Sequence, residues 1–200
     1  MPKLNPLEAE QPMSHANQTP SFIRTVPDGD TVERAVCAAC GYVAYDNPKI
    51  VTGSVVVHEG RVLLCRRNIE PRRGFWTLPA GYLELLETVE EAAMREALEE
   101  AEARIALDGI LAIYSISRIG QVQIIFRARF AAEPHFAAGP ESQEVALFEW
   151  TDIPWNDIAF PSVHWALHAW RAIGAAPLGA PATNPPNDPR GTERLAETAL

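Results

Sequence analysis

The sequence predicts an α/β fold, a sandwich of helices around a mixed sheet. Three observations carry this. β-branched runs recur along the middle of the chain, one strongly helical segment is inserted among them, and a second apolar helical segment closes the series. Two hundred residues, 47% of them hydrophobic and 22% charged, are enough for one well-packed domain with a small appendage.

The elements follow in order. Residues 1–19 are polar, contain proline and show no periodicity, so they are expected to form a disordered arm. Residues 20–46 carry the Cys37-Ala-Ala-Cys40-Gly knuckle. The stretch KIVTGSVVVHEGRVLLCRR then reads as two strands joined at Glu59-Gly60. RRGFWTLPAG (72–81) reads as a loop with a short strand near Trp76. A helix is predicted over 88–101, with Thr88 as N-cap and Glu91 completing a capping box. Strands are expected at 103–106, 111–116, 122–130 and 146–150, with a turn at Gly120-Gln121, and a closing helix at 162–172. The Pro/Gly/Ala-rich residues 174–200 are expected to be a disordered tail.

Composition excludes several classes. No apolar run approaches the roughly 18–20 residues of a membrane span, and the N-terminus has neither the basic start nor the apolar core of a secretory signal. A formal net charge of -9 argues against a broad grip on nucleic acid, though not against an anionic substrate met through bound cations. Three cysteines, Cys37, Cys40 and Cys65, are too few for a disulfide framework, so a reducing, cytoplasmic setting is expected.

The chemistry concentrates in GYLELLETVEEAAMREALEEAEA (81–103). With Glu96 at zero on a helical wheel, Glu99 falls near -60° and Glu100 near +40°, at about 100° per residue. Three carboxylates therefore share a stripe, and Ala93, Ala97, Ala101, Met94 and Leu98 on the neighbouring arc are expected to face the core. Like charges at these spacings repel by a few tenths of a kcal/mol per pair. Arg95 is the one nearby base. Such a stripe suits hard divalent cations, which prefer oxygen ligands. A solvated acidic face is the bland alternative.

The longer pattern weighs against that alternative. Gly81, Glu87, Arg95, Glu96, Glu99 and Glu100 stand at the spacing G-x5-E-x7-R-E-x-x-E-E, a chance match on the order of 1 in 10,000. The segment resembles the Nudix box. Departures are Glu102 and Ala103, where the family pattern has a glycine and an aliphatic residue, and Leu86, where many relatives have glycine. The resemblance implies an α/β/α sandwich and a hydrolase that splits a diphosphate bond with Mg²⁺ or Mn²⁺. It implies Glu96, Glu99 and Glu100 as cation ligands, with the Gly81 carbonyl beside them, and Glu87 orienting the cluster through Arg95. The general base is left open between a box glutamate and a later loop acid, Glu141 or Glu144. Arg66, Arg67, Arg72 and Arg73 are candidates for the substrate phosphates, and Trp76 and Tyr82 for stacking on a base; ordinary surface and core roles compete for all of these.

VCAACGYVAYDNPKIV, with RRNIEPRRGFWTLPAGYLE, FAAGPESQEVALFEW and IPWNDIAF, is similar to a Nudix branch in which a small zinc ribbon precedes the hydrolase, over about residues 20–170. FAD and ADP-ribose pyrophosphatases belong to that branch, which makes those compounds the leading substrates, with NADH open. Here the ribbon is degenerate. Its first cysteine pair is missing, His15 is the only upstream candidate ligand, and structural zinc at Cys37 and Cys40 is not expected. The expected partner is a small nucleotide, with no nucleic acid or membrane, and the resemblance suggests a homodimer. The domain boundaries expected are 20–46 for the ribbon and 47–173 for the hydrolase. The rival reading is a Nudix-like module that binds nucleotides without turnover; such modules typically lose box carboxylates, and all of them stand here.

Overall fold

A computed structural model describes residues 21–188, which fall into two compact units divided between Asn47 and Pro48. The arm expected at 1–19 and His15 lie outside the described residues.

The smaller unit is an antiparallel sheet of β1 (Phe22–Thr25), β2 (Arg34–Cys37) and β3 (Val43–Ala44), in the order β1-β2-β3. Its long first connection is ordered by Asp30. That carboxylate accepts the N–H groups of Thr31 and Val32 and pairs with Arg34 at 2.9 Å. The guanidinium of Arg34 also lies over the Tyr45 ring, 5.2 Å from its centre.

The larger unit is built on a mixed sheet. The hairpin forms as expected, with β4 (Lys49–His58) and β5 (Arg61–Arg67) joined through Glu59 and Gly60, both at positive φ. The short strands β6 (Trp76–Thr77) and β7 (Ala80–Tyr82) pair with β5 and β4. Helix α1 (Val89–Ala101) follows, then β8 (Ile105–Ile116), β9 (Gln121–Phe130), β10 (Ser142–Phe148) and helix α2 (Pro161–Ile173). The main path runs β10-β5-β4-β9-β8; β4 and β9 are parallel and their other neighbours antiparallel.

Alternation along the central strands divides two cores. Val55, Val62 and Leu64 face the cluster that holds Trp165, Leu167 and Trp170 of α2; Val56, Leu63 and Cys65 face the one that holds Ala97 and Ala101 of α1. The sheet thus carries a helix on each face.

Two expectations need correction. The strands expected at 103–106 and 111–116 are one strand, because Asp108-Gly109 forms a bulge rather than a break: the register shifts there, and Asp108 pairs with Arg127 and Arg129 of β9. The tail expected to be disordered from residue 174 is hydrogen-bonded through part of its length. Ala182 pairs with β8 through Leu111 and Ile113, Asn184 bonds both backbone groups of Ser115, and Asp188 accepts the Trp165 indole N–H at 2.8 Å. A Pro-rich segment needs no partners of its own to lie in order along an edge strand that offers unpaired groups. Among the described residues, no helix is long and apolar enough to cross a membrane.

Candidate active site

Helix α1 presents the site. The capping box forms as the sequence implies: Thr88 accepts the Glu91 N–H, and the Glu91 carboxylate accepts the Thr88 N–H at 2.7 Å. Of the face expected to be buried, Ala93, Ala97 and Ala101 are buried, but Met94 and Leu98 are not. Glu96 and Glu100 share the buried arc with Ala92, Ala93, Ala97 and Ala101, whereas Met94 and Leu98 are 39% and 42% exposed. The helix gives its inward face to carboxylates and methyl groups, which lets it sit close to the sheet, and leaves its larger apolar side chains outside.

Three anchors hold the carboxylates. Glu87 grips Arg95 through two oxygens, at 2.8 and 3.1 Å, and this hydrogen bonding holds the Glu87 carboxyl below the usual range. Arg95 in turn reaches Glu96 at 2.7 Å, Glu99 at 3.0 Å and the Tyr82 carbonyl, and the Glu87 bonds are the main cause of its raised pKa. Glu100 accepts the Ala80 N–H at 3.0 Å.

Even so anchored, the inner pair is short of positive charge. Burial raises the Glu96 carboxyl above its ordinary value against the pull of Arg95, and it pushes Glu100 up to about 8. Glu141 adds to both shifts by its charge, while Arg67 opposes that of Glu100. Gly81 is part of the same packing: a Cβ built there would fall inside the Glu96 carboxylate.

Among the described residues no three acidic, histidine or cysteine side chains already converge as a cation cage. The donor set nonetheless suits a hard divalent ion. It offers two buried, undercompensated carboxylates, a third on the same helix, and a glycine backbone pressed against one of them. A bound cation would remove the cost that raises Glu96 and Glu100.

These groups line a cleft of about 750 Å³ that extends to β8, β9 and the start of α2. Its charged lining includes Glu96, Glu99, Glu100, Glu141, Arg67, Arg95 and Arg118, and its apolar lining Ile116, Ile119, Phe160 and Trp165. Tyr82 lines it as well, its hydroxyl accepting from Gln121, which accepts from Gln123.

Other expected residues lie elsewhere. Trp76 is buried and packs edge-on against Phe148, so it belongs to the core. Arg72 lies over Phe75 and Arg73 bonds Asn68; neither lines the cleft. Arg66 and Glu144 face each other across β5 and β10 at 3.6 Å, away from the lining, so of the two loop acids the structure brings Glu141 to the site and not Glu144. Strand geometry decides this: Glu144 is already paired in β10, whereas Glu141 precedes it. Arg118, Gln121, Gln123 and Phe160 were not expected. They are scattered along the chain, and only the sheet order assembles them.

In the smaller unit, the Cys37 sulfur receives the backbone N–H of Cys40 and Ala39, which lower its thiol pKa. That is the arrangement of half a zinc knuckle. Cys65 is fully buried in the core of the larger unit, where burial pushes its thiol up.

Comparison with known proteins gives this site its context. The NUDIX domain model matches residues 48–170, more than half of the chain. The chain belongs to the NUDIX family. A second model, the Nudix N-terminal one, matches residues 21–46. A solved NUDIX hydrolase from Nitrosomonas europaea is 40% identical, with a TM-score of 0.78 over 86% of this chain and 97% of that one. An ADP-ribose pyrophosphatase from Methanocaldococcus jannaschii is 28% identical over 56% of this chain and 69% of its own length. A MutT-like protein from Streptomyces ambofaciens is 39% identical over 40% of this chain, which spans about half of that relative. The chain is thus a Nudix hydrolase, of a family whose enzymes generally use divalent metal ions.

Proposed function

We propose that this Nudix hydrolase is a Mg²⁺- or Mn²⁺-dependent pyrophosphatase that hydrolyses the diphosphate of ADP-ribose, or of a dinucleotide such as FAD, to AMP and a second phosphomonoester. The observation that carries the reading is the inward pair Glu96 and Glu100, buried in a cleft that is also lined by arginine, apolar and amide side chains. A diphosphate with a nucleoside attached needs that same mixture of cation-bound charge, arginine and apolar contact. The M. jannaschii relative supports ADP-ribose as the first substrate to try.

Glu96, Glu99 and Glu100 would hold the cations, with the Gly81 carbonyl as a further oxygen. When bound, such ions neutralise the diphosphate and lower the pKa of a coordinated water. The chain's own residues supply the rest. Glu87 fixes Arg95, and Arg95 fixes the directions of Glu96 and Glu99. Arg67 and Arg118 lie on the cleft wall where phosphate oxygens would bind. Glu141, just before β10, lines the same cleft, and we assign it to take the proton of the attacking water.

The test is mononucleotide release from ADP-ribose, FAD and NADH, with Mg²⁺, Mn²⁺ or EDTA. Metal-dependent cleavage of ADP-ribose or FAD is expected. Tight binding of these compounds with no release of product under any metal would instead support the non-catalytic module.

A further inference from the structure

Between β9 and β10 the chain crosses the end of helix α1, and three backbone contacts pin it there. The Ala137 N–H donates to the Ala101 carbonyl at 2.9 Å, and the Gly139 N–H to the Glu100 carbonyl at 3.1 Å. Both carbonyls belong to the last turn of α1, whose orphan acceptors need partners from outside the helix. The third contact is steric. Gly139 is buried, and a Cβ built on it would overlap the Glu99 carbonyl oxygen, so the loop lies flat on the helix because residue 139 has no side chain. Its φ is not in the left-handed region, so the need is for space. Asn68 ties the far side, its N–H donating to the Glu141 carbonyl at 2.7 Å and its side-chain amide to the Pro140 carbonyl at 3.3 Å. Two residues beyond Gly139 stands Glu141, facing Glu96 and Glu100 across the cleft.

We infer that Gly139 is a positioning residue: by allowing the loop to dock on the last turn of α1, it sets where the Glu141 carboxylate stands relative to Glu96 and Glu100. This rests on the hydrolase reading above for its consequence in turnover, but the placement itself is read without substrate. In the dense contact of loop and helix, one added methyl must lift the loop, and a displacement of about 1 Å can cost roughly 100-fold in a positioned reaction.

The experiment is a double-mutant cycle between Gly139→Ala and Glu141→Gln, with two readouts: Mn²⁺ affinity by calorimetry without substrate, and kcat on the best diphosphate substrate. Each single variant is expected to weaken Mn²⁺ by a few-fold and lower kcat by roughly 10- to 100-fold, with KM within about twofold. In the Glu141→Gln background Gly139→Ala is expected to add little, because the group it displaces is gone. Losses that multiply, or a Gly139→Ala enzyme with unchanged Mn²⁺ affinity and kcat, would overturn the inference. Should Gly139→Ala fail to fold, Asn68→Ala loosens the same loop without added bulk. It should show the same coupling at about a threefold scale, and additivity there would equally overturn it. The Mn²⁺ cycle stands even if none of the chosen diphosphates is cleaved, so failure of the positioning role and failure of the substrate assignment remain distinguishable.

Discussion

Helices α1 and α2 are each 13 residues long and cover opposite faces of one sheet, yet they are held by different physics. α2 buries Val163, Trp165, Ala166, Leu167 and Trp170, starts at Pro161 without a side-chain cap and ends at Gly174. α1 buries four alanines and two glutamates, starts with a full capping box and ends on Glu102 in the left-handed conformation. One helix is kept in place by apolar area. The other is kept by its caps, by Arg95 and by a loop across its end, while its inward face is given to chemistry.

The comparison is broken most directly at α2. Leu167 is fully buried among large neighbours, so Leu167→Ala is expected to lower stability by roughly 2–5 kcal/mol and leave kcat of the folded enzyme near wild type. Chemical denaturation and kinetics on one preparation would show it; a loss of kcat with stability intact would mean that the two faces are not separable.

Glu100→Gln on α1 should do the reverse. Metal-dependent turnover is expected to fall on the order of 10²–10³-fold, while the fold persists because the amide can still accept the Ala80 N–H. Full activity in this variant would remove Glu100 from the cation site.

A pH dependence follows from the same residue. Burial raises Glu100 above its unfolded value, to about 8. The folded chain therefore holds that proton more tightly, and the stabilisation is complete below the unfolded pKa and lost as pH rises through about 8. In EDTA the melting temperature should fall between about pH 5 and about pH 8.5, and Mg²⁺ should restore it at the upper end, with metal binding releasing protons. A metal-free protein whose melting temperature rises over that interval would contradict the buried placement of Glu100.

The difference between the helices also explains what the sequence made legible. α2 and the hairpin around Glu59-Gly60 follow from local pattern, and so does the capping box of α1. The box spacing placed Glu96, Glu99 and Glu100 together on one helix and gave the Glu87–Arg95 pair, because both lie within that helix and its leading loop. Which arc of α1 turns inward was not legible from hydrophobicity, since the rule that apolar residues face the core fails where buried carboxylates replace them: Met94 and Leu98 are outside for that reason. Glu141, Arg118, Gln121 and Phe160 come together only through strand order, and the bulge at Gly109 reads locally as a strand break. The ordered part of the tail depends on an edge of β8 that no local pattern announces.

The smallest effect tests how α1 stops. Its last turn closes with the Glu102 N–H on the Leu98 carbonyl and the Ala103 N–H on the Ala97 carbonyl, which forces Glu102 to φ 49°. A side chain there costs about 1–2 kcal/mol that glycine avoids, offset in part by the greater freedom of glycine in the unfolded chain. Glu102→Gly should therefore stabilise by about 0.5–1 kcal/mol and raise the melting temperature by roughly 2–4 °C, with kcat unchanged. Glu102 is exposed, and its carboxylate makes a long ion pair with His135 at 3.9 Å, so little is lost with the side chain. A melting temperature that does not rise would mean that the Ala137 and Gly139 contacts already hold the last turn, so that relieving the strain at Glu102 gains nothing. The loop across α1, rather than the cap, would then be what ends the helix.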